Sequence, residues 1–186
     1  MSVPFILLVI SLAVAGAIFA NTGYVLSDGL LLSLVVAVAA LVLLVRQWGS
    51  KPKNWIVVDG SNVLYWRNEV PSLETVEHVI NVLKEEGFRP VVWFDANVGY
   101  LVANQYLGPG PLARALSLPY RQVLVAPKGT PADPLLLKGA AALNANVVTN
   151  DRFRDWVEQH PEVRSSGFLI RGKMLNGKVD LSLPGG

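Results

Sequence analysis

The sequence has no cysteine and only two histidines among its 186 residues. The lack of cysteine excludes disulfide bonds and zinc sites built from thiolates. A GxxxxGK[ST] motif is also missing, which argues against a P-loop NTPase. No DxDx[TV] signature follows the first predicted strand, which argues against a phosphatase of another α/β type.

Charge is almost missing from the first 45 residues. The ionisable side chains there are Tyr24 and Asp28, and all 16 Lys and Arg lie at or beyond Arg46. The chain therefore divides into an apolar leader, residues 1–50, and a polar body, residues 51–186, which is long enough to bury one core. From Asn54 onward the body has 13 basic and 13 acidic residues. Any surface for nucleic acid must therefore come from local clustering of charge.

The leader contains two apolar runs, which we expect to form helices at about residues 3–20 and 26–45. Each run is close to the roughly 20 residues that span a bilayer core. The segment between them, Asn21 to Gly29, is polar and suits a short turn. The leader is thus predicted to be a membrane anchor of two transmembrane helices. A cleaved signal peptide is the main alternative, but the first run has no preceding Lys or Arg and a second run follows at once.

Basic residues follow the second run, at Arg46, Lys51 and Lys53, together with Trp48 at a position typical of an interfacial aromatic. The positive-inside rule places this end on the cytoplasmic side. We therefore expect a two-helix protein of the inner cell membrane, with the body and both termini in the cytoplasm.

The body alternates predicted strands with predicted helices. Strands are expected at 54–59, 90–95, 121–126 and 146–150, and helices at 72–86, 111–116, 133–143 and 151–159. The tail, residues 167–183, is typical of a hairpin that turns at Asn176 and Gly177. This order predicts an α/β sandwich around a mainly parallel sheet.

Aspartates follow the predicted strands. Asp59 and Asp95 end the first two strands, Asp151 follows the fourth, and Asp155 is expected one helical turn later on the same face. Asp133 begins the helix before that strand. Because sites in open α/β sheets form at the carboxyl ends of strands, five of the six aspartates of the body are predicted to converge there. Such a set of hard oxygen ligands suits Mg²⁺ or Mn²⁺, which can activate water for phosphodiester hydrolysis.

Two segments resemble a known family. VVDGSNV, residues 57–63, and VVTNDRFRDW, residues 147–156, look like the first and last motifs of NYN domains in the PIN-like nuclease superfamily. The nearest resemblance is to Regnase-type endoribonucleases, which are linked to CCCH zinc fingers. The resemblance spans most of residues 54–183 and implies a PIN-like three-layer sandwich and a metal-dependent endoribonuclease acting on single-stranded or looped RNA.

The resemblance also implies roles for individual residues. Asp59, Asp133, Asp151 and Asp155 would bind the metal, Asn62 would orient its loop or contact phosphate, and Asn150 would assist. The sequence departs from the pattern at Ala132-Asp133, where paired acids are frequent, and at Asp95, which is an additional candidate. It also has no CCCH finger. Ser61, Lys128, Arg152 and Arg154 are candidates for binding RNA.

Each aspartate also has a structural explanation when taken alone. Asp59 can cap a turn, and Asp95 can lie in an ordinary loop. Asp133 or Asp151 can cap a helix, and Asp155 can lie on a solvated helix face. Tyr65, Trp66 and Arg67 follow the first motif and are candidates for stacking or phosphate contact, whereas Phe153 and Trp156 are expected in the core. The alternative function is a catalytically inactive PIN-like module that binds RNA or protein. Partners compatible with the sequence are RNA, the bilayer and a second copy of the chain.

Overall fold

The computed structural model describes residues 3–22, 28–48 and 54–183. The chain forms two compact units, Met1–Pro52 and Lys53–Gly186. In the first unit, α1 (Val3–Thr22) and α2 (Asp28–Trp48) pack against each other. Both predicted helices are therefore present and slightly longer than expected. Most of the predicted connector, residues 23–27, lies outside the described residues, as do Lys51 and Lys53.

Both helices are long and apolar enough to cross a membrane, judged by length and composition alone. Most of their large apolar side chains are exposed within the structure. The two serine hydroxyls of these helices are satisfied inside each helix, since Ser11 donates to the Leu8 carbonyl at 3.0 Å and Ser33 to the Leu30 carbonyl at 2.9 Å. Internal satisfaction of polar groups is what an apolar environment requires.

The second unit begins with strand β1 (Trp55–Asp59) and a single turn, α3 (Gly60–Val63). The remaining elements alternate helices and strands until the tail. They are α4 (Leu73–Glu85), β2 (Arg89–Phe94), α5 (Val98–Ala103), α6 (Pro109–Ala115), β3 (Val123–Val125), α7 (Ala132–Leu143), β4 (Asn146–Val148), β5 (Leu169–Ile170), β6 (Gly172–Leu175) and β7 (Lys178–Leu181).

Five strands form one parallel sheet in the order β3-β2-β1-β4-β5. The central strand β1 is buried along Ile56–Asp59 and pairs with β2 on one side and β4 on the other. Because all five strands run in one direction, their carboxyl ends meet at a single edge. Asp59, Asp95 and Thr149 lie at that edge.

Alternate residues of the strands pack into separate layers. Ile56 and Val58 face a cluster formed with α4 and α6, whereas Val57 and Val147 face a cluster formed with α7. This alternation follows from the two-residue period of a strand. The predicted α/β sandwich, with helices on both faces of a parallel sheet, is therefore confirmed.

One local prediction was wrong, and another was right only in part. The helix expected at 151–159 is only a 3₁₀ turn, Arg154–Trp156, because Phe153 before it adopts a left-handed conformation (φ 46°). The tail contains the predicted hairpin, in which β6 and β7 pair across a turn at Asn176 and Gly177, but Leu169–Ile170 forms β5 and joins the parallel sheet instead.

Candidate active site

Asp59 ends β1 and caps the turn that follows. Its Oδ1 accepts a hydrogen bond of 3.1 Å from the Asn62 backbone N–H. The turn needs glycine at position 60, because a Cβ there would collide with the buried Phe94 ring. The capping explanation weighed for Asp59 is therefore correct for one of its two oxygens.

The second oxygen of Asp59 is bound across the sheet by Thr149. The fully buried Thr149 hydroxyl donates to Asp59 Oδ2 at 2.8 Å and accepts from the Asp151 N–H at 3.0 Å. Thr149 thus connects two predicted site aspartates from neighbouring strands. The sequence interpretation missed Thr149, although it lies in the quoted VVTND motif directly before the polar pair.

Asn62 ties the first loop to the fourth strand. Its Oδ1 accepts from the Trp66 indole N–H at 2.8 Å and from the Asn150 backbone N–H at 2.9 Å. Of the two roles predicted for Asn62, orienting the loop is the one that these contacts support. Trp66 is half-buried against Gly172, so its ring packs inside the unit.

The loop after β4 is held from the opposite side by β5 and β6. The Asn150 side chain exchanges two hydrogen bonds with the Gly172 backbone, at 2.8 Å and 3.3 Å. Arg171 donates to the carbonyls of Thr149 and Asp151, at 3.3 Å and 2.8 Å. Arg171 was not predicted, because its role depends on β5 lying beside β4. The side chain of Asn150 is therefore engaged by the backbone of Gly172.

Asp95 and Asp133 approach the same edge from other elements. The Asp95 N–H donates to the Ser61 hydroxyl at 2.8 Å, so Ser61 joins the ends of β1 and β2. Asp133 lies within the first turn of α7, whose N-cap is Pro131, and the N-cap interpretation of Asp133 was therefore wrong. Its Oδ2 accepts from the Trp156 indole N–H at 3.2 Å.

Asp151 and Asp155 line one open groove of about 510 Å³. The expected shared helical face was wrong, and the left-handed Phe153 between them explains how the loop turns instead. Asp151 Oδ1 accepts from the Phe153 N–H at 2.8 Å, so Asp151 caps a turn and not a helix. The exposed Arg152 and Arg154 line the same groove, together with Asn62 and Asn150.

The carboxylates influence one another electrostatically. The pKa of Asp59 is raised from 3.8 to about 7. Burial is the largest cause of this rise, the hydrogen bonds from Asn62 and Thr149 oppose it, and the charges of Asp133 and Asp95 add to it. Burial also raises the pKa of Asp133, and the hydrogen bond from Trp156 opposes this rise. The negative charges of Asp151, Asp95 and Asp155 raise the pKa of Asp133 further. All five predicted aspartates therefore belong to one electrostatic cluster.

The donor set of this cluster suits a largely hydrated hard cation. Within residues 3–22, 28–48 and 54–183, no three acidic or histidine side chains lie close enough to enclose an ion. Magnesium, however, keeps several waters and binds through one or two carboxylates. Each ionised carboxylate has about four lone-pair sites, so Asp59 can accept its two hydrogen bonds and still bind a cation.

Other predicted residues lie away from the groove. Lys128 is exposed and lines a different cavity beside β3. The exposed Arg67 pairs with Glu74 at 3.1 Å. Asp180, the one aspartate of the body not predicted to join the cluster, lies near Lys173 at 3.6 Å in the β6-β7 hairpin. Phe153 and Trp156 pack in or against the core as predicted.

The profile of the Zc3h12a-like ribonuclease NYN domain matches residues 52–167, which is more than half of the chain. The chain belongs to this family. The NYN domain therefore covers all five clustered aspartates, and the resemblance seen in the motifs is confirmed. Arg171 and the β6-β7 hairpin lie beyond the matched residues.

Two solved structures are similar to this chain in fold. A crystal structure of nuclear proteinaceous RNase P 2 (PRORP2) from A. thaliana is similar with a TM-score of 0.54 and 20% identity, over 82% of this chain and 34% of that one. A second PRORP2 structure gives a TM-score of 0.52 and 19% identity, over 94% and 36%. This chain thus spans about a third of the length of PRORP2, and the likeness shows the fold. No curated protein matches the chain significantly.

Proposed function

We propose that this NYN protein is a divalent-metal-dependent endoribonuclease that hydrolyses single-stranded or looped RNA. The observation that carries the proposal is the cluster of five aspartates at one sheet edge, around an Asp59 that is 7% exposed. Like charges that interact across one sheet edge are unfavourable unless a cation or a proton neutralises them. Membership of a ribonuclease family makes a cation the better explanation.

Asp59 would hold the ion directly or through water, Asp133, Asp151 and Asp155 would complete the site, and Asp95 is an additional candidate. Bound Mg²⁺ or Mn²⁺ would supply an activated water and neutralise charge on the leaving oxygen. The chain positions these carboxylates through hydrogen bonds. Thr149 and Asn62 orient the carboxylate of Asp59. Trp156 orients the carboxylate of Asp133, and Arg171 holds the loop that carries Asp151.

Arg152 and Arg154 are suited to hold the phosphates of the strand, because both are exposed in the groove that contains Asp151 and Asp155. Guanidinium groups bind phosphate through paired hydrogen bonds. The exposed Arg residues therefore offset the negative potential of the aspartates, which would otherwise repel RNA.

The enzyme is tested by incubating the full chain, in mild detergent, with labelled RNA in Mn²⁺ or EDTA. We expect cleavage in Mn²⁺ that EDTA abolishes, and its loss in Asp151→Asn. Asp180→Asn is the matched control, since Asp180 lies near Lys173 in the hairpin. Cleavage that is equal in EDTA, or equal in Asp151→Asn and wild type, would favour the alternative of an inactive RNA- or protein-binding module.

We further propose that α1 and α2 anchor the NYN domain to the inner cell membrane, with the domain and both termini in the cytoplasm. The exposed apolar side chains and internally bonded hydroxyls of the two helices support an apolar surrounding. Reporter fusions at both termini test the orientation, and a translocated body would contradict it. The homodimer stays a prediction.

A further inference from the structure

A second cavity opens at the sheet edge that carries the aspartates. Its volume is about 330 Å³, at the lower end of the range of about 300–1,000 Å³ for small-molecule sites. The carboxyl ends of β2 and β3 form its wall through Ala96, Asn97 and residues 125–128, and two tyrosines complete it. A cavity of this size accommodates a group as large as a nucleobase.

The two tyrosines, Tyr100 on α5 and Tyr106 in the following loop, are 59% and 65% exposed. The fold brings them together through Gly99, where a Cβ would collide with the backbone of Gln105 and Leu107. The left-handed Asn104 (φ 51°) ends α5 and lets the loop return onto it. The loop that carries Tyr106 thus packs directly on α5. Exposed aromatic rings beside a cavity are suited to stack on unpaired bases.

Two polar side chains among the lining residues suit a nucleotide. The amide of Asn97 has donors and acceptors for the edge of a base. The exposed ammonium of Lys128 can bind an adjoining phosphate as a point charge.

The cavity is a neighbour of the aspartate cluster in the chain and in the sheet. Ala96 and Asn97 directly follow Asp95. The strand β3 is two places from β1, which corresponds to about 10 Å. The groove with Arg152 and Arg154 lies after β4, on the other side of β1. A strand whose phosphate reaches Asp59 can therefore extend into this cavity.

We propose that this cavity, lined by Tyr100, Tyr106, Asn97 and Lys128, binds one unpaired base of the RNA strand held at the aspartates. The inference rests on the proposed ribonuclease function and specifies its substrate, because a base within a duplex cannot enter the cavity. A strand must therefore be unpaired beside the cleaved bond.

The test measures RNA binding in EDTA, where cleavage plays no part. A short fluorescein-labelled single-stranded RNA is titrated with the full chain in detergent at constant salt, and Kd is obtained from anisotropy. The variants are Tyr100→Ala/Tyr106→Ala and, retaining the rings, Tyr100→Phe/Tyr106→Phe. Tyr120→Ala is the matched control, because Tyr120 is 66% exposed and does not line the cavity.

The double alanine variant is expected to bind roughly 5- to 100-fold more weakly, as stacking of one base predicts. The phenylalanine variant and Tyr120→Ala should stay within about threefold of wild type, since stacking uses the ring and not the hydroxyl. A series of RNAs, each with one abasic nucleotide at a different position, identifies the base that enters the cavity. At one position the missing base should weaken binding to wild type. The same RNA should bind the double alanine variant no more weakly than intact RNA does, because that variant has already lost the stacking.

Equal Kd values for wild type and the alanine variant would overturn the proposal. It would also be overturned if wild type bound every abasic RNA as tightly as intact RNA, because the cavity would then hold a free nucleotide or nothing. Because these measurements need no cleavage, they remain informative if the protein proves inactive. If wild type cleaves RNA but the double alanine variant binds RNA as tightly as wild type does, the base-binding proposal is refuted and the ribonuclease proposal stands.

Discussion

The Thr149 hydroxyl donates a hydrogen bond of 2.8 Å to Asp59 Oδ2, joining residues that are 90 positions apart in the chain. The same hydroxyl accepts the Asp151 N–H at 3.0 Å. One buried oxygen therefore sets the positions of two aspartates from adjacent strands, and its removal should affect both the stability and the activity of the domain.

Thr149→Val should lower the RNA cleavage rate by roughly 10- to 100-fold, the usual effect of removing a group that orients a metal ligand. It should also lower the free energy of unfolding by about 1–3 kcal/mol, because the Asp151 N–H loses its partner. Thermal unfolding and single-turnover cleavage measure the two effects. Thr75→Val is the matched control: Thr75 is fully buried, and its hydroxyl has no hydrogen-bond partner among the described residues. Thr75→Val should be neutral or stabilising, and equal losses in both variants would contradict the role of Thr149.

Asp59→Asn should stabilise the metal-free protein increasingly as the pH rises. The pKa of Asp59 is about 7 in the folded chain, against 3.8 as its ordinary value. Between these values the folded state binds the proton more tightly, so wild-type stability falls as pH rises and levels off above about pH 7. Asparagine has no such dependence. The stability difference should therefore grow by on the order of 2–4 kcal/mol from about pH 4 to about pH 8.

Denaturant unfolding in EDTA at several pH values measures this difference. A difference between Asp59→Asn and wild type that does not change with pH would contradict the raised pKa. Adding Mn²⁺ at about pH 8 should raise the free energy of unfolding of wild type but not that of Asp59→Asn, because only the wild-type carboxylate at position 59 can bind the cation.

Gly60→Ala should destabilise the domain by about 1–3 kcal/mol, because the added methyl group collides with the buried Phe94 ring. The displaced turn would also move Asn62 from Asp59 and reduce cleavage. Gly110→Ala is the matched control, since a Cβ there would meet only an ordinary contact of 3.9 Å with Tyr120. Thermal unfolding measures the stability of both variants. An unchanged melting temperature in Gly60→Ala would contradict the predicted collision with Phe94.

Arg171→Gln should reduce cleavage by roughly tenfold, because the Thr149 and Asp151 carbonyls lose their guanidinium donor. Arg164→Gln, at an exposed position in a 3₁₀ turn, should leave the rate unchanged. The expected signature is a lower kcat with nearly unchanged RNA binding. A change in binding alone would mean that Arg171 contacts the substrate.

The parts of this site that follow from short-range pattern were predictable from the sequence. Asp59 and Asp95 follow β-branched or aromatic runs that could only be buried strands, and parallel strands place their carboxyl ends together. The Leu73–Glu85 helix was found from its apolar spacing, although Ser72 makes no side-chain capping bond.

The loop after β4 could not be predicted in the same way. Asp151 accepts from the Phe153 N–H, and this local bond competes with the helix that the sequence suggested. Burial of Phe153 in the core then favours its left-handed conformation. The roles of Thr149 and Arg171 depend on which strands are neighbours, a relationship that spacing along the chain does not contain.

The central claim is that the aspartate cluster hydrolyses RNA with a bound divalent cation. Its most direct test is the single-turnover cleavage rate of a labelled RNA, measured against Mn²⁺ concentration for the full chain, Asp59→Asn and Asp180→Asn. We predict saturable activation by Mn²⁺ in wild type and Asp180→Asn, and a rate at least about 100-fold lower in Asp59→Asn. A wild-type rate independent of Mn²⁺, or equal rates in wild type and Asp59→Asn, would contradict the account.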